Sequence, residues 1–161
     1  MRRLVPAVFA VLVLGLSACG GGYDTKTVKA DEEESGGSFG FSDAPPRTKV
    51  GKEGPRELSP GDVLAFSSRL KQGGKPAGEL SATCAITQPG SFRVAKAQCQ
   101  GTATLPDGEL VLNVSGKFAS GTTRGAIVGG TGDYIGAGGT FTSVEAGGGS
   151  KDTFEIRIPK K

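Results

Sequence analysis

The sequence predicts an all-β fold, a small antiparallel barrel of about eight strands, and three observations carry that expectation. From Gly61 onward, short runs of alternating apolar and polar residues recur, each closed by Gly, Pro or Asp turn chemistry. No stretch after residue 18 carries a helical apolar period. Arg124 to Phe141 reads as two strands around a glycine-paved corner, Gly129-Gly130-Thr131-Gly132-Asp133, where a backbone free to take positive φ is needed. A barrel of this size is filled by side chains or holds one small ligand.

The first residues stand apart from the fold. Arg2 and Arg3 precede the apolar run Leu4 to Leu16, which has signal-peptide length and is too short to span a membrane. The run ends in Leu16-Ser17-Ala18-Cys19-Gly20, which resembles the lipobox of bacterial lipoproteins. That resemblance implies a signal peptide over 1–18 and lipidation of Cys19. It also implies an extracytoplasmic address, anchored by the lipid to the bacterial cell membrane or the outer membrane. A flexible tether is expected over 19–34, with 26–31 (Val28 and Ala30 on one face) as candidate first strand, and the barrel domain over 35–161. The acidic run Asp31 to Ser35 and the Pro-rich Pro45 to Glu57 read as solvated loop, with Ser38 to Ser42 able to pair as a short strand between them.

The strands then follow in order. Asp62 to Leu70 puts Leu64, Phe66, Ser68 and Leu70 on one side, and Gly78 to Thr87 does the same with Leu80, Ala82, Cys84 and Ile86. Phe92 to Leu105 carries Ala95, Ala97, Cys99 and Ala103 on one face. Glu109 to Phe118 turns Leu110, Leu112, Val114 and Phe118 inward. The glycine-cornered hairpin follows. After a loop over Gly147 to Asp152, Thr153 to Ile158 closes the series with Phe154, Ile156 and Ile158 on one face. Small inward residues such as Ala82, Ala97 and Gly116 point to a cavity, while Phe66, Phe118 and Phe154 are the side chains that could fill it.

Cys84 and Cys99 stand opposite one another in a hairpin centred between Pro89 and Arg93, each on its strand's apolar face. In an oxidising compartment the pair reads as a disulfide, with two small buried thiols as the alternative. Closing such a loop contributes about 3 kcal/mol in the chain-entropy view.

Composition excludes several chemistries. With no His in the chain, Ser-His-Asp and Cys-His catalysis and the commonest metal ligands are absent, and neither metal nor cofactor is expected. Without Arg2 and Arg3 the 19 basic residues become 17 against 16 acidic ones, and there is no Trp, so no nucleic-acid partner is expected. Gly130-Thr131-Gly132 leads into a strand and not a helix, which argues against a dinucleotide fingerprint.

The run from Gly129 to Gly139, GGTGDYIGAGG, resembles the signature of the allene oxide cyclase and dirigent barrels. The likeness extends over roughly Ser35 to Ile158, through Gly36 to Phe41, Pro60 to Phe66, Cys84 and Pro106-Asp107-Gly108. It implies a barrel cavity that folds or orients a hydrophobic substrate. The family's cavity Cys corresponds to Cys84, the candidate catalytic residue, and its cavity Asn to Ser68. The family's first-strand Glu would fall near Lys29 to Asp31, where this chain has none. Of the other acids, Glu79 and Glu109 face outward. Plant relatives are trimers or dimers, so a homo-oligomer is a further implication. The candidate pocket comprises Phe66, Ser68, Ala82, Cys84, Leu112 and Tyr134, with Tyr134 packing over one barrel end.

The first functional expectation is a lipid-anchored barrel that binds a small apolar molecule or an envelope partner without catalysis. The alternative is an isomerase, cyclase or dirigent-type protein, and the third is a structural envelope lipoprotein with a filled barrel.

Overall fold

Eight strands, each antiparallel to the next, close into one barrel in the order β1 to β8. They are β1 (Tyr23–Ser42), β2 (Val63–Gln72), β3 (Lys75–Gln88), β4 (Lys96–Leu105), β5 (Gly108–Lys117), β6 (Thr122–Gly130), β7 (Gly138–Ala146) and β8 (Gly149–Pro159). The structure, a computed structural model, describes residues 22–42, 57–117 and 120–160, with 34–39 by backbone alone. The signal peptide expected over 1–18, the lipidation expected at Cys19, and Phe118 lie outside the described residues.

Closure depends on β1, the longest strand. Its first half pairs with β8 from Tyr23↔Pro159 to Glu33↔Gly149, and its second half pairs with β2 as far as Ser42↔Val63. The register shifts between Glu33 and Ser38, and this irregularity lets one strand serve two neighbours. From Tyr23 on, the expected tether and the solvated acidic run are therefore corrected: the segment is strand, and the candidate first strand over 26–31 lies within it. Alternation explains how the charges are tolerated. Val28, Ala30 and Glu32 face in, while Asp31 and Glu33 face out, where Glu33 meets Lys71 at 2.6 Å. Two other boundaries also move. Residues 92–95 turn ahead of β4, with only Ala95 of them buried, and β8 begins at Gly149, which brings Ser150 and Asp152 into the sheet.

One end of the barrel is packed solid. Leu70, Leu80, Leu110, Ile127, Phe154 and Ile156 belong to a single buried cluster there, and Phe141 and Phe154 put their ring centroids 5.1 Å apart across a β7–β8 pair. Tyr134, from the 3-10 turn Gly132–Tyr134 in the β6–β7 connection, caps this end at 1% exposure. Glycine is required in that turn: Gly132 has φ +59°, and a Cβ there would stand 2.5 Å from the Asp107 carbonyl oxygen. Lys26 Nζ lies 5.1 Å above the Tyr134 ring and 2.5 Å from Asp107 Oδ2, so β1 and both turns meet over the cap. The Asp107 carboxylate holds the Lys26 ammonium above its ordinary range. A second cluster, Leu58, Leu64, Cys84, Ile86, Ala95 and Ala97, with Phe41, Phe66 and Cys99 packed against it, thickens the β2–β4 side towards the other end.

Candidate functional site

Above the packed end the barrel is hollow. A cavity of about 530 Å³ opens between the β5–β6 and β7–β8 turns, which falls within the range of small-molecule sites. Its floor is Leu80, Leu112 and Phe141, and one wall is Phe66, Ala82, Ala97, Gly101 and Val114. Small side chains at inward positions make the space. Ala82 pairs with Gly101 across β3 and β4, between Phe66 on β2 and Leu112 on β5. Phe154 belongs to the packed end, and Phe66 lies along the cavity wall.

Cys84 and Cys99 occupy directly paired positions of β3 and β4 and are joined by a disulfide whose sulfurs are 2.01 Å apart. Both line the cavity. This corrects the reading of Cys84 as a candidate catalytic thiol, because its sulfur is already bonded.

The opposite wall is polar. Glu32, on β1, turns its carboxylate into the cavity; Ser68 on β2 donates a hydrogen bond to Oε1, and the Ser150 hydroxyl on β8 lies 2.7 Å from Oε2. Ser150 also lies 2.9 Å from Asp152 Oδ1, and Ser143 stands at the position of β7 paired with Asp152. Asp152 is 1% exposed, and its Oδ2 has no hydrogen-bond partner. Burial pushes its carboxyl up to about 6; the Ser143 and Ser150 hydroxyls offset part of that rise, while the negative charges of Glu32 and Asp31 add to it. Asp62, the other buried acid among the described residues, has a local structural role, its carboxylate accepting the Ser59 backbone N–H at 2.8 Å.

Of the expected pocket residues, Phe66, Ala82, Cys84 and Leu112 line the cavity directly, and Ser68 reaches it through Glu32. Tyr134 does not; it is buried in the opposite, closed end. The residues expected to face inward include no carboxylate, and the structure adds Glu32 and Asp152 to them. The glutamate sits one residue beyond the Lys29–Asp31 window. A signal for both was present: the face shared by Val28 and Ala30 continues to Glu32, and the face of Phe154, Ile156 and Ile158 runs back to Asp152 and Ser150.

No family model matches the chain. No curated protein matches it either. Solved structures do. A pyocyanin demethylase superposes with a TM-score of 0.64 at 23% identity, over 81% of this chain and 99% of that one. The likeness shows the fold. A pterocarpan synthase dirigent protein follows with a TM-score of 0.57 at 16% identity, over 86% of this chain and 96% of that one. The Diels-Alderase AbmU from Streptomyces koyangensis has a TM-score of 0.56 at 15% identity, over 86% of this chain and 69% of that one. The chain is thus a barrel of the architecture that dirigent proteins and this cyclase share, with its carboxylate pair on the β1–β8 wall.

Proposed function

We propose that the barrel takes a small, largely apolar molecule into its cavity and promotes its ring closure, isomerisation or coupling at an atom held beside Glu32. The observation that carries this reading is the Glu32 carboxylate on the wall of a largely apolar cavity of about 530 Å³, its oxygens fixed by Ser68 and Ser150. A carboxylate so held can take a proton from a ligand atom or return one, and the shape of the cavity supplies proximity. The substrate class is a compact apolar molecule with a proton-accepting or proton-releasing atom. That the structural neighbours include a demethylase, a dirigent synthase and a Diels-Alderase supports conversion over storage.

The test is native mass spectrometry of the exported domain, followed by turnover assays on any compound class it carries. A small adduct that the wild type converts and Glu32→Gln binds without converting is the expected result. A clean apo mass, with no binding of an apolar fluorescent probe, would overturn the reading.

The anchor expected at Cys19 gives this barrel an orientation. Tyr23 opens β1 at the closed end, opposite Pro159, and the span from Cys19 to Tyr23 reaches about 14 Å at most. A lipid on Cys19 therefore holds the closed end towards the membrane and the cavity mouth away from it. Exposed Tyr23 and Ile135, with Lys160 beside Gly22, suit a headgroup layer. Palmitate labelling that is lost in Cys19→Ser, and lipid quenching of a probe at Ile135 but not at Glu145, are the expected outcomes. Unlabelled wild-type protein would sink the anchor.

A further inference from the structure

Ser150 has one hydroxyl proton and two carboxylate oxygens within reach, Glu32 Oε2 at 2.7 Å and Asp152 Oδ1 at 2.9 Å. It can donate to only one of them. If both acids were ionised, the second contact would set an oxygen lone pair against a negative oxygen at hydrogen-bond distance. The arrangement is satisfied when one carboxyl is protonated, donating to Ser150 while Ser150 donates to the other. The residues themselves decide which. Glu32 borders the cavity and accepts a second hydrogen bond from Ser68, as an anion should. Asp152 is sealed from solvent, and its Oδ2 is unpartnered, which a neutral carboxyl tolerates and a carboxylate does not.

We propose that Asp152, Ser150 and Glu32 form a proton relay in which Asp152 is a buried proton store, Ser150 the carrier and Glu32 the group that meets the ligand. The step balances without a co-reactant. As Glu32 Oε2 accepts the Ser150 hydroxyl proton, Ser150 Oγ takes the proton from Asp152 Oδ1, leaving Glu32 neutral and Asp152 anionic. Run in reverse, a proton that Glu32 removes from a ligand passes through Ser150 to Asp152. A proton-shift isomerisation uses this exchange, since the proton removed at one atom is returned at another. Asp152 touches no ligand and acts through Glu32. The charged groups acting on it are Glu32 and Asp31, both from β1; β7 contributes the Ser143 hydroxyl, with Glu145 at the next inward position of that strand, lining the cavity.

The relay rests on the cavity reading only for its use, so it is tested without any ligand. Carbon-13 NMR of the carboxyl carbons of the full domain follows Asp152 and Glu32 through a pH titration. In the wild type, the Asp152 carbon changes near pH 6 and the Glu32 carbon reports the same step. Ser150→Ala should remove the step from Glu32 and raise the Asp152 midpoint, while Ser150→Thr, which keeps the hydroxyl, should restore both. A wild-type Glu32 carbon without that step, or an undiminished step in Ser150→Ala, would overturn the relay. The first of these outcomes needs no variant to fold. A coupled titration in a barrel that binds no small molecule would leave the relay standing and the proposed function refuted.

Discussion

Glu32 and Ser150 are cross-strand partners, one on β1 and the other on β8, and the serine hydroxyl lies 2.7 Å from the glutamate's Oε2. The seam that closes the barrel thus also fixes the Glu32 carboxylate on the cavity wall. Replacing Glu32 with Gln keeps size and hydrogen-bonding capacity but removes the ability to exchange a proton. Turnover should fall by roughly 10²- to 10⁴-fold with ligand affinity changed little, as a general acid–base role requires. Steady-state kinetics beside a direct binding titration separate the two effects. Turnover within a few-fold of wild type would remove Glu32 from the chemistry.

Asp152 makes a prediction about stability. Burial raises its carboxyl from 3.8 to about 6, so between those pH values the folded chain holds a proton that the unfolded chain has released. Stability therefore falls as pH rises through that window and levels off above it, with a total loss of about 3 kcal/mol from this group. Asp152→Asn carries no such proton. Urea unfolding of both proteins across the window should show the wild type losing stability relative to the variant as pH rises. Parallel profiles would mean that Asp152 is not held neutral.

The Cys84–Cys99 bond closes a sequence separation of 15 residues. Replacing both cysteines with Ala should lower unfolding free energy by about 3 kcal/mol. Both side chains line the cavity, so the same change should also alter the affinity of any bound molecule. Denaturant melts and a probe-binding titration on the double variant check the two halves independently. An unchanged midpoint would deny the bond its structural role.

At the closed end, Tyr134 is tested by two substitutions of different size. Among the described residues its hydroxyl meets only Lys26, at 3.5 Å, so Tyr134→Phe should cost no more than about 1 kcal/mol. Its ring is 1% exposed, so Tyr134→Ala should cost about 3–5 kcal/mol by leaving a void under the cap. Equal losses in the two variants would shift the weight from packing to the Lys26 contact.

Much of the barrel was legible in the sequence because strand alternation and glycine turns are local signals. The strands after Gly61, the Cys84–Cys99 pairing and the corner at Gly132 all follow from residues within one hairpin of each other. The first strand did not read clearly, because its pairing is non-local: Glu32 meets Ser150 from the far end of the chain. Four consecutive charged residues, Asp31 to Glu34, also suggest solvent until a second face is known. Once β8 is set opposite, alternation sends Glu32 in and leaves Asp31 and Glu33 out, where Lys71 answers the latter. Asp152 was obscured differently, by the triple glycine Gly147 to Gly149, which extends the look of a loop past the point where the strand resumes.

Whether the cavity is a working space or merely a packing gap is decided at Ala82. Its side chain lies on the cavity wall opposite Gly101, above the floor of Leu80, Leu112 and Phe141. A Phe at this position would project into the void. Burying the new ring contributes about 1.5–3 kcal/mol, and fitting it costs about 1–3 kcal/mol in strain, so net stability should stay within roughly 2 kcal/mol of wild type. Ligand binding should nonetheless be lost, because the volume that received the molecule is taken. A filled structural barrel behaves differently: with no empty volume to receive the ring, Ala82→Phe would lower the melting temperature and leave nothing to measure in binding. Thermal melting beside a titration with an apolar fluorescent probe reads both quantities on one preparation. A stable variant that still binds the probe would put the binding site elsewhere on the molecule.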